Sequence, residues 1–323
     1  MRQTNKYLSV GLMLMLLISA LKAQNTFNNE SSVKKTEEYK LVWEDNFDGP
    51  TLDETNHWTI VLNGKGGGNR EMQYYKRENI ELGKEPATGK NCLIITAKKE
   101  NYSSKKFTSG RLTTQNKLSF KFGKIEARIK PPHTANGLWP AFWLLGSDYP
   151  KALWPKCGEI DIMEMGNHNG IVDSIQDRYF NGACHWGEKF NHGKYPNYAK
   201  SSTSPYCLQD DFHLYTLIWD ENAIKMYLDL DKYPDNRPYF EMPINGVKVP
   251  NNASYYFQKP YFVVFNLAVG GNFTGIINYK QITALKDGEA KMYVDYVKVY
   301  QKGDAGEELI ISKPGIKSYS SKN

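Results

Sequence analysis

Three carboxylates interrupt an apolar strand pattern in the sequence EIDIME, which begins at Glu159 and ends at Glu164. Side chains alternate between the two faces of a β-strand, so Glu159 and Asp161 share one face and the two isoleucines occupy the other. Strict alternation would turn Glu164 into the core, where an unpaired carboxylate is strongly disfavoured. We therefore predict a β-bulge at Ile162 or Met163, because one extra residue returns Glu164 to the acidic face.

Carboxylates grouped in this way suit glycosidic bond cleavage. With the bulge, the Cα atoms of Glu159 and Glu164 lie about four strand steps apart, roughly 13 Å. On a curved sheet the two side chains could lean towards each other, which would bring their carboxyl groups to the ~5 to 5.5 Å separation of a retaining glycosidase. Asp161 between them would couple their ionisations, so that one glutamate keeps a proton while the other is charged. The alternative is a solvent-facing acidic strand, but no Lys or Arg lies between Lys156 and Arg178 to neutralise it.

The elements that must position these acids are predicted to be β-strands, since no long helical period occurs in the sequence. Residues 220–222 predict a tight hairpin, and residues 245–246 and 270–271 are loop signals. Many short antiparallel strands indicate a sandwich. The clearest alternating or β-branched and aromatic runs are residues 124–130, 214–220, 223–229, 261–269 and 293–300.

Two strings resemble the active-site segments of glycoside hydrolase family 16: GLWPAFWLLG at 137–146 and GEIDIMEMG at 158–166. Further similar segments extend the resemblance over about residues 40–302 in family order, and bacterial endo-β-1,3- and β-1,3-1,4-glucanases are the nearest branch. The resemblance implies an all-β jelly-roll sandwich of two antiparallel sheets with a concave substrate cleft. It also implies that Glu159 is the nucleophile, Asp161 the assisting acid and Glu164 the general acid/base.

Aromatic and polar residues supply the expected substrate contacts. Trp139 and Trp143 are four residues apart in an extended segment and therefore share a face, and the resemblance places both in the cleft. Most tryptophans of a β-sandwich are core residues instead. The resemblance also implies substrate binding by polar residues, each of which equally suits a structural role; these are Asn69, Glu71, Arg111, His185 and Asn266.

Two stretches depart from the common glucanase pattern. Phe273 stands where glucanase members commonly have tryptophan after the GGN sequence, so the subsites are expected to differ. Residues 187–206 form an unusual insertion-like segment, which is expected to shape the rim of the cleft.

No cofactor is expected for catalysis. The resemblance implies a structural calcium away from the cleft, and Glu44 and Asp295 are the matching candidates. Two carboxylates do not define such a site, because calcium takes about 6 to 8 oxygen ligands.

The sequence contains four cysteines and does not decide whether they form disulfides or remain free thiols. Their spacing matches no zinc motif, and the sequence does not rank the three pairings that would form two disulfides. Buried free thiols are the equal alternative. The four are Cys92, Cys157, Cys184 and Cys207.

The ends of the sequence differ from its middle. Arg2 and Lys6 precede an apolar run at 12–17, so residues 1–23 predict a secretory signal peptide rather than a membrane span. Residues 24–38 predict a polar linker, 39–303 the catalytic domain and 304–323 a polar tail. The expected protein is secreted, periplasmic or at the cell surface, and monomeric. Loss of Arg2, Lys6 and Lys22 with the signal peptide would lower the formal net charge from +6 to 6 − 3 = +3, which is too small to indicate nucleic-acid binding.

Three functions compete. An endo-acting retaining β-glucanase accounts for the acids, the bulge, the tryptophans and the export signal together. A red-algal galactanase (agarase-, porphyranase- or carrageenase-like) is the enzyme alternative, but residues 133–170 contain few of the cations that a sulfated substrate favours. A non-catalytic glycan-binding jelly roll would be favoured by loss of an acid, and all three acids are present. The sequence does not determine whether the enzyme prefers β-1,3-glucans or mixed-linkage β-1,3-1,4-glucans.

Overall fold

The computed structural model describes residues 38–189, 194–246 and 249–312. The predicted signal peptide, most of the predicted linker and the end of the predicted tail lie outside the described residues. Within the described ranges, no helix has the length and apolar character needed to cross a membrane.

Strands make up most of the regular structure. A short helix, α1 (His168–Val172), and single 3₁₀ turns at Gly66–Gly68, Arg77–Asn79, Pro250–Tyr255 and Tyr279–Gln281 connect them. The strands are β1 (Lys40–Asp45), β2 (Thr59–Ile60), β3 (Gln73–Tyr75), β4 (Ile80–Lys84), β5 (Asn91–Lys98), β6 (Phe107–Ser109), β7 (Arg111–Thr113), β8 (Leu118–Lys121), β9 (Gly123–Lys130), β10 (Leu138–Gly146), β11 (Glu159–Met165), β12 (Tyr179–His185), β13 (Asn197–Thr203), β14 (His213–Trp219), β15 (Ala223–Leu228), β16 (Phe240–Pro243), β17 (Tyr261–Val269), β18 (Glu289–Gln301) and β19 (Glu308–Ile311).

The strands form two sheets. A ten-stranded sheet has the order β16-β15-β14-β9-β18-β5-β6-β3, with β1 on β18 and β4 on β5. A nine-stranded sheet has the order β13-β12-β11-β10-β17-β7-β2, with β8 joining β17 to β19. Among the described strands, β3 and β6 pair in parallel and the other pairs are antiparallel. This arrangement confirms the predicted all-β sandwich, and it places the acidic strand β11 inside the nine-stranded sheet.

The core lies between the sheets and follows the alternation in the sequence. On β10, Leu138, Phe142 and Leu144 are fully buried, while Trp139 and Trp143 on the opposite face are partly exposed. Every residue of β17 is buried, as expected for a strand in the middle of a sheet with covered faces. Other tryptophans are core residues, as predicted for most of them: Trp58, Trp186 and Trp219.

The strand predictions agree with the structure, and the C-terminal boundary does not. The predicted strand 261–269 coincides with β17, and Asp220 closes the predicted hairpin by accepting hydrogen bonds from the backbone of Asn222 and Ala223. Part of the segment predicted as a polar tail from residue 304 is a β-strand. Glu308–Ile311 forms β19 against β8, because Leu309 packs on the core although its neighbours are polar or exposed.

The four cysteines have free thiols, and Cys92, Cys157 and Cys184 are buried. This outcome matches the buried-thiol alternative. Burial raises the pKa of Cys157 to about 12, so this thiol is neither charged nor nucleophilic at neutral pH.

Candidate active site

A β-bulge in β11 returns the third acid to the face of the first two. Asp161 pairs with Trp143 on β10, and Met163 pairs with the adjacent Phe142, so Ile162 is the extra residue. The same irregularity interrupts the pairing with β12 between Asp161 and Glu164. The predicted bulge is confirmed, and its cause is the polarity conflict in the sequence: the apolar Ile162 and Met163 are fully buried.

Two of the three acids are almost removed from water, and Glu159 is partly buried. Asp161 is 5% exposed and Glu164 is 8% exposed. Burial, reinforced by the charge of Asp161, raises the pKa of Glu159 to about 8 and that of Glu164 to about 8. Burial also raises the pKa of Asp161 well above its usual range. Such shifts are typical of functional carboxyls.

The cations near the two glutamates are distributed unequally. His185 lowers the pKa of both Glu159 and Glu164, whereas the Arg111 guanidinium lowers the pKa of Glu159 and is not among the groups that act on Glu164. The Arg111 charge thus favours the ionised form of Glu159, the hydrogen bond from Trp139 favours that of Glu164, and both pKa values are about 8. Once one member of a coupled pair is charged, the other retains its proton more strongly.

His185 lies beside the acids. It pairs with Glu159 across β11 and β12, and its Nε2 lies 3.1 Å from Asp161 Oδ2. This contact is not aligned as a hydrogen bond, since Asp161 Oδ2 is buried without a hydrogen-bond partner among the described residues. Glu159, Asp161 and His185 place donor atoms within 4.8 Å of one another, and in the described part of the chain they are the one such group that could hold a metal ion.

Trp139 contacts the predicted acid/base directly. Its indole Nε1 donates a hydrogen bond of 3.0 Å to Glu164 Oε1, which lowers the pKa of Glu164 against the effect of burial. The Phe273 ring stacks on the same indole, with ring centroids 4.6 Å apart and an interplanar angle of 14°. Trp139 and Phe273 therefore form one aromatic unit above Glu164.

Trp143, Asn266 and Arg111 form a second unit on the same face. Trp143 Nε1 donates to Asn266 Oδ1 at 2.8 Å, and the Arg111 guanidinium carbon lies 4.8 Å from the centroid of the Trp143 ring. Asn266 and Arg111 are directly opposite each other on β17 and β7. These predicted substrate residues are brought together, and the buried Arg111 Nε has no hydrogen-bond partner among the described residues.

Asn69 and Glu71 lie in the loop before β3. The Glu71 carboxylate accepts hydrogen bonds from Gln73 Nε2 at 2.6 Å and Tyr75 Oη at 3.1 Å and is buried. The carbonyl of Asn69 accepts from the Asn272 backbone at 2.8 Å. The Glu71 side chain is thus engaged inside the loop, while Asn69 joins this loop to the one that carries Phe273.

Two site residues were not singled out from the sequence. Asn181 is directly opposite Glu164 on β12 and donates to Ser201 Oγ at 2.7 Å. Tyr195 lies in the insertion-like segment, and burial together with the charges of the three acids raises its pKa to about 12. Trp154 packs edge-on against Tyr195, with ring centroids 4.7 Å apart. The unusual length of the insertion was the one available signal for Tyr195.

The two calcium candidates have cationic partners. Glu44 lies 3.2 Å from the Lys298 ammonium, and Asp295 lies 3.4 Å from Lys90 and 3.7 Å from Arg128. The calcium site stays a prediction.

The two-sheet sandwich and the paired carboxyls beneath indole rings are the arrangement expected of a glycoside hydrolase. The family model described as glycosyl hydrolases family 16 matches residues 67–254. The chain therefore belongs to glycoside hydrolase family 16, as the resemblance implied.

Relatives and solved structures support this assignment. A beta-glucanase of Rhodothermus marinus is 33% identical over 83% of this chain and 87% of its own. The clotting factor G alpha subunit of Tachypleus tridentatus is 35% identical over 87% of this chain, which spans 36% of that relative's length. A Bacteroides ovatus mixed-linkage glucan GH16 structure, solved with a G4G4G3G product, is 36% identical with a TM-score of 0.69 and covers 80% of this chain and 100% of its own.

Proposed function

We propose that this protein is an endo-acting retaining glycoside hydrolase that cleaves β-1,3-glucans, mixed-linkage β-1,3-1,4-glucans or both. The observation that carries the proposal is the bulge at Ile162, which sets Glu164 on the face of Glu159 and Asp161. The names of the Rhodothermus and Bacteroides relatives support a β-glucan as substrate.

In the first step, Glu159 attacks the anomeric carbon as its carboxylate while Glu164 gives its proton to the leaving glycosidic oxygen. The bond between the anomeric carbon and that oxygen breaks, and a glycosyl-enzyme ester forms. Glu164, now charged, then takes a proton from water, whose oxygen attacks the anomeric carbon and releases Glu159. Burial raises the pKa of both glutamates to about 8, so the first step requires that one ionise while the other keeps its proton. The Arg111 guanidinium favours the charged form of Glu159.

Asp161 and the aromatic units complete the site. Asp161 lies between the glutamates on the face they share and couples their charges. Trp139 and Trp143 offer indole faces on which the C–H groups of pyranose rings pack. Arg111 and Asn266 beside Trp143 supply hydrogen-bonding groups for sugar hydroxyls.

Product analysis with purified protein tests the substrate. Laminarin, barley β-glucan, agarose and porphyran are incubated separately, and released oligosaccharides are identified by size and linkage. We expect glucan oligomers from laminarin, barley β-glucan or both. Cleavage confined to agarose or porphyran would assign the protein to the galactanases, and binding of laminarin without products would indicate a glycan-binding module.

Proton NMR of the anomeric signals tests the double displacement. Retention is expected, so the first reducing ends formed are β anomers. An α anomer that appears before mutarotation would place the carboxyls ~6.5 to 9.5 Å apart, as in inverting enzymes, and would remove the nucleophile role from Glu159.

We also propose that the protein is exported and acts as a monomer. Support for export is the signal-like pattern of residues 1–23. Fractionation of the native host and light scattering of the purified protein test these two points.

A further inference from the structure

The loop that carries Phe273 is fastened at several points. Its carbonyl accepts a hydrogen bond from the His168 backbone at 2.9 Å, and the preceding Asn272 amide donates to Asn69 at 2.8 Å. Within the same loop, the fully buried Thr274 bonds the Gly271 carbonyl through its hydroxyl at 3.1 Å. The phenyl ring thus projects from a loop that is fastened both to the first residue of α1 and to the loop before β3.

The stacked contact restricts how the Trp139 indole can turn. A tryptophan ring rotates about a broad torsion, so packing must fix its plane. Phe273 covers one indole face with nearly parallel geometry, and Glu164 Oε1 accepts from the ring edge at 3.0 Å. Rotation of the indole away from this plane would break that hydrogen bond.

The hydrogen bond also distinguishes the two oxygens of Glu164. An indole N–H donates and never accepts, so the Oε1 atom that faces Trp139 acts as an acceptor. The carbonyl oxygen of a carboxylic acid is a better acceptor than its hydroxyl oxygen, so the hydrogen bond to Oε1 favours the single proton of neutral Glu164 on Oε2. That oxygen is the one free to donate to a leaving group.

We propose that Phe273 is a positioning residue that, through Trp139, keeps the proton of Glu164 on the oxygen directed at the glycosidic bond. The inference rests on the proposed function, in which Glu164 is the general acid. It assigns to Phe273 a task in proton transfer and not only in sugar stacking.

The dependence of kcat/KM on the leaving group distinguishes a role of Phe273 in proton transfer from a role in sugar stacking. The variants are Phe273→Leu, the conservative Phe273→Tyr and, as a control at an exposed tyrosine, Tyr279→Leu, whose side chain is 49% exposed. The value of kcat/KM is measured on a glucan oligosaccharide and on the matching 2,4-dinitrophenyl glycoside, which departs without protonation. We expect Phe273→Leu to lose at least about tenfold on the oligosaccharide and less than about threefold on the dinitrophenyl glycoside. Equal losses on both substrates would overturn the proposal in favour of a sugar platform.

A double-mutant cycle tests whether Phe273 acts through Trp139. Phe273→Leu is combined with Trp139→Phe, and each variant is checked by circular dichroism and thermal melting. In the Trp139→Phe background, Phe273→Leu is expected to have little further effect on kcat, and additive losses would contradict the proposal. Phe273→Tyr should restore wild-type kcat.

The pH profile gives an independent readout. Loss of the indole hydrogen bond should move the alkaline limb of kcat/KM to higher pH for Phe273→Leu and leave it unmoved for Tyr279→Leu. An unmoved limb in Phe273→Leu would overturn the proposal. If wild-type protein cleaves the dinitrophenyl glycoside but no glucan, the substrate assignment fails while the positioning role remains testable on aryl glycosides with poorer leaving groups.

Discussion

Two buried carboxylate clusters in this chain differ in how completely their oxygens are paired. Asp229, fully buried in the ten-stranded sheet region, lies 2.7 Å from His213 Nδ1 and accepts hydrogen bonds from Leu214 N at 2.8 Å and Tyr206 Oη at 2.9 Å. These hydrogen bonds outweigh burial and lower its pKa. Asp161 in β11 is nearly as buried, yet its Oδ2 accepts no hydrogen bond from the described residues and its pKa is raised.

This difference distinguishes a carboxylate that stabilises the fold from one that is suited to proton transfer. A carboxylate whose oxygens are satisfied by fixed donors stabilises the fold and stays ionised. Burial disfavours the charged form of a carboxylate that lacks hydrogen-bond donors, and this raises its pKa. Such a group can therefore gain and lose a proton near neutral pH. The acids of β11 belong to the second kind.

The largest expected effect comes from replacing the two carboxyl groups that are proposed to act in catalysis. Glu159→Gln and Glu164→Gln are each expected to reduce kcat on laminarin by at least about 10²-fold, because each deletes a chemical step. Circular dichroism should show an unchanged fold. Glu241→Gln, on the exposed edge strand β16, is the matched control and should retain activity. Turnover within tenfold of wild type for either active-site variant contradicts the assigned roles.

The opposite result is expected for the structural cluster. Asp229→Asn leaves His213 and Tyr206 without their acceptor and should lower the free energy of unfolding by about 3 kcal/mol. Turnover of the remaining folded protein should stay close to wild type, since this cluster lies outside the site. Urea denaturation measures the loss, and a change below about 1 kcal/mol would mean that the cluster is not structurally important.

The carboxyl groups of the two clusters should change the stability of the fold in opposite directions as the pH rises. The pKa of Glu164 is raised to about 8 in the folded state, so the folded protein binds more protons than the unfolded one between about pH 4.5 and 8 and loses stability as pH rises. Glu164→Gln removes this penalty, and its melting temperature should exceed that of wild type at pH 9 by more than at pH 5. Equal differences at both pH values would show that Glu164 titrates normally.

Asp229 contributes in the acid range. Its folded-state pKa is lowered, so its stabilisation is present above the ordinary aspartate pKa and is lost as pH falls through the folded value. The destabilisation caused by Asp229→Asn should therefore shrink on acidification below about pH 4. Thermal melts of variant and wild type from pH 3 to 7 measure the convergence; a constant gap would contradict it.

The smallest expected effect concerns Glu71, which resembles Asp229 in its pairing. Its carboxylate accepts from Gln73 and Tyr75, so Glu71→Gln should lower stability by about 1 kcal/mol. If Glu71 only orders its loop, KM for laminarin should change less than threefold. A larger rise in KM with unchanged stability would establish the substrate-binding role that the sequence resemblance implied.

Local polarity made much of the site predictable. The conflict between strand alternation and the charge of Glu164 predicted the bulge, and the four-residue spacing of Trp139 and Trp143 predicted a shared face. Both arguments need only neighbouring residues. The strand runs were equally visible, since alternation and β-branched side chains are local properties.

Long-range contacts account for what the sequence did not reveal. Asn181 opposes Glu164 because of the register of β12, and Phe273 reaches Trp139 from a loop more than a hundred residues later. The pairing of Asp229 with His213 depends on the β14–β15 hairpin. None of these contacts leaves a periodic pattern, so spacing alone could not separate them from ordinary polar or aromatic positions.

The bulge of β11 has a consequence for folding as well. Because β10 and β12 both accommodate the extra residue, the strand is fixed in alignment by two neighbours at once. A slip by one residue would send Glu159 and Asp161 into the apolar layer and expose the isoleucines to water. A misaligned strand would bury these carboxyls, so the acids proposed to be catalytic also disfavour the wrong register of β11 during folding.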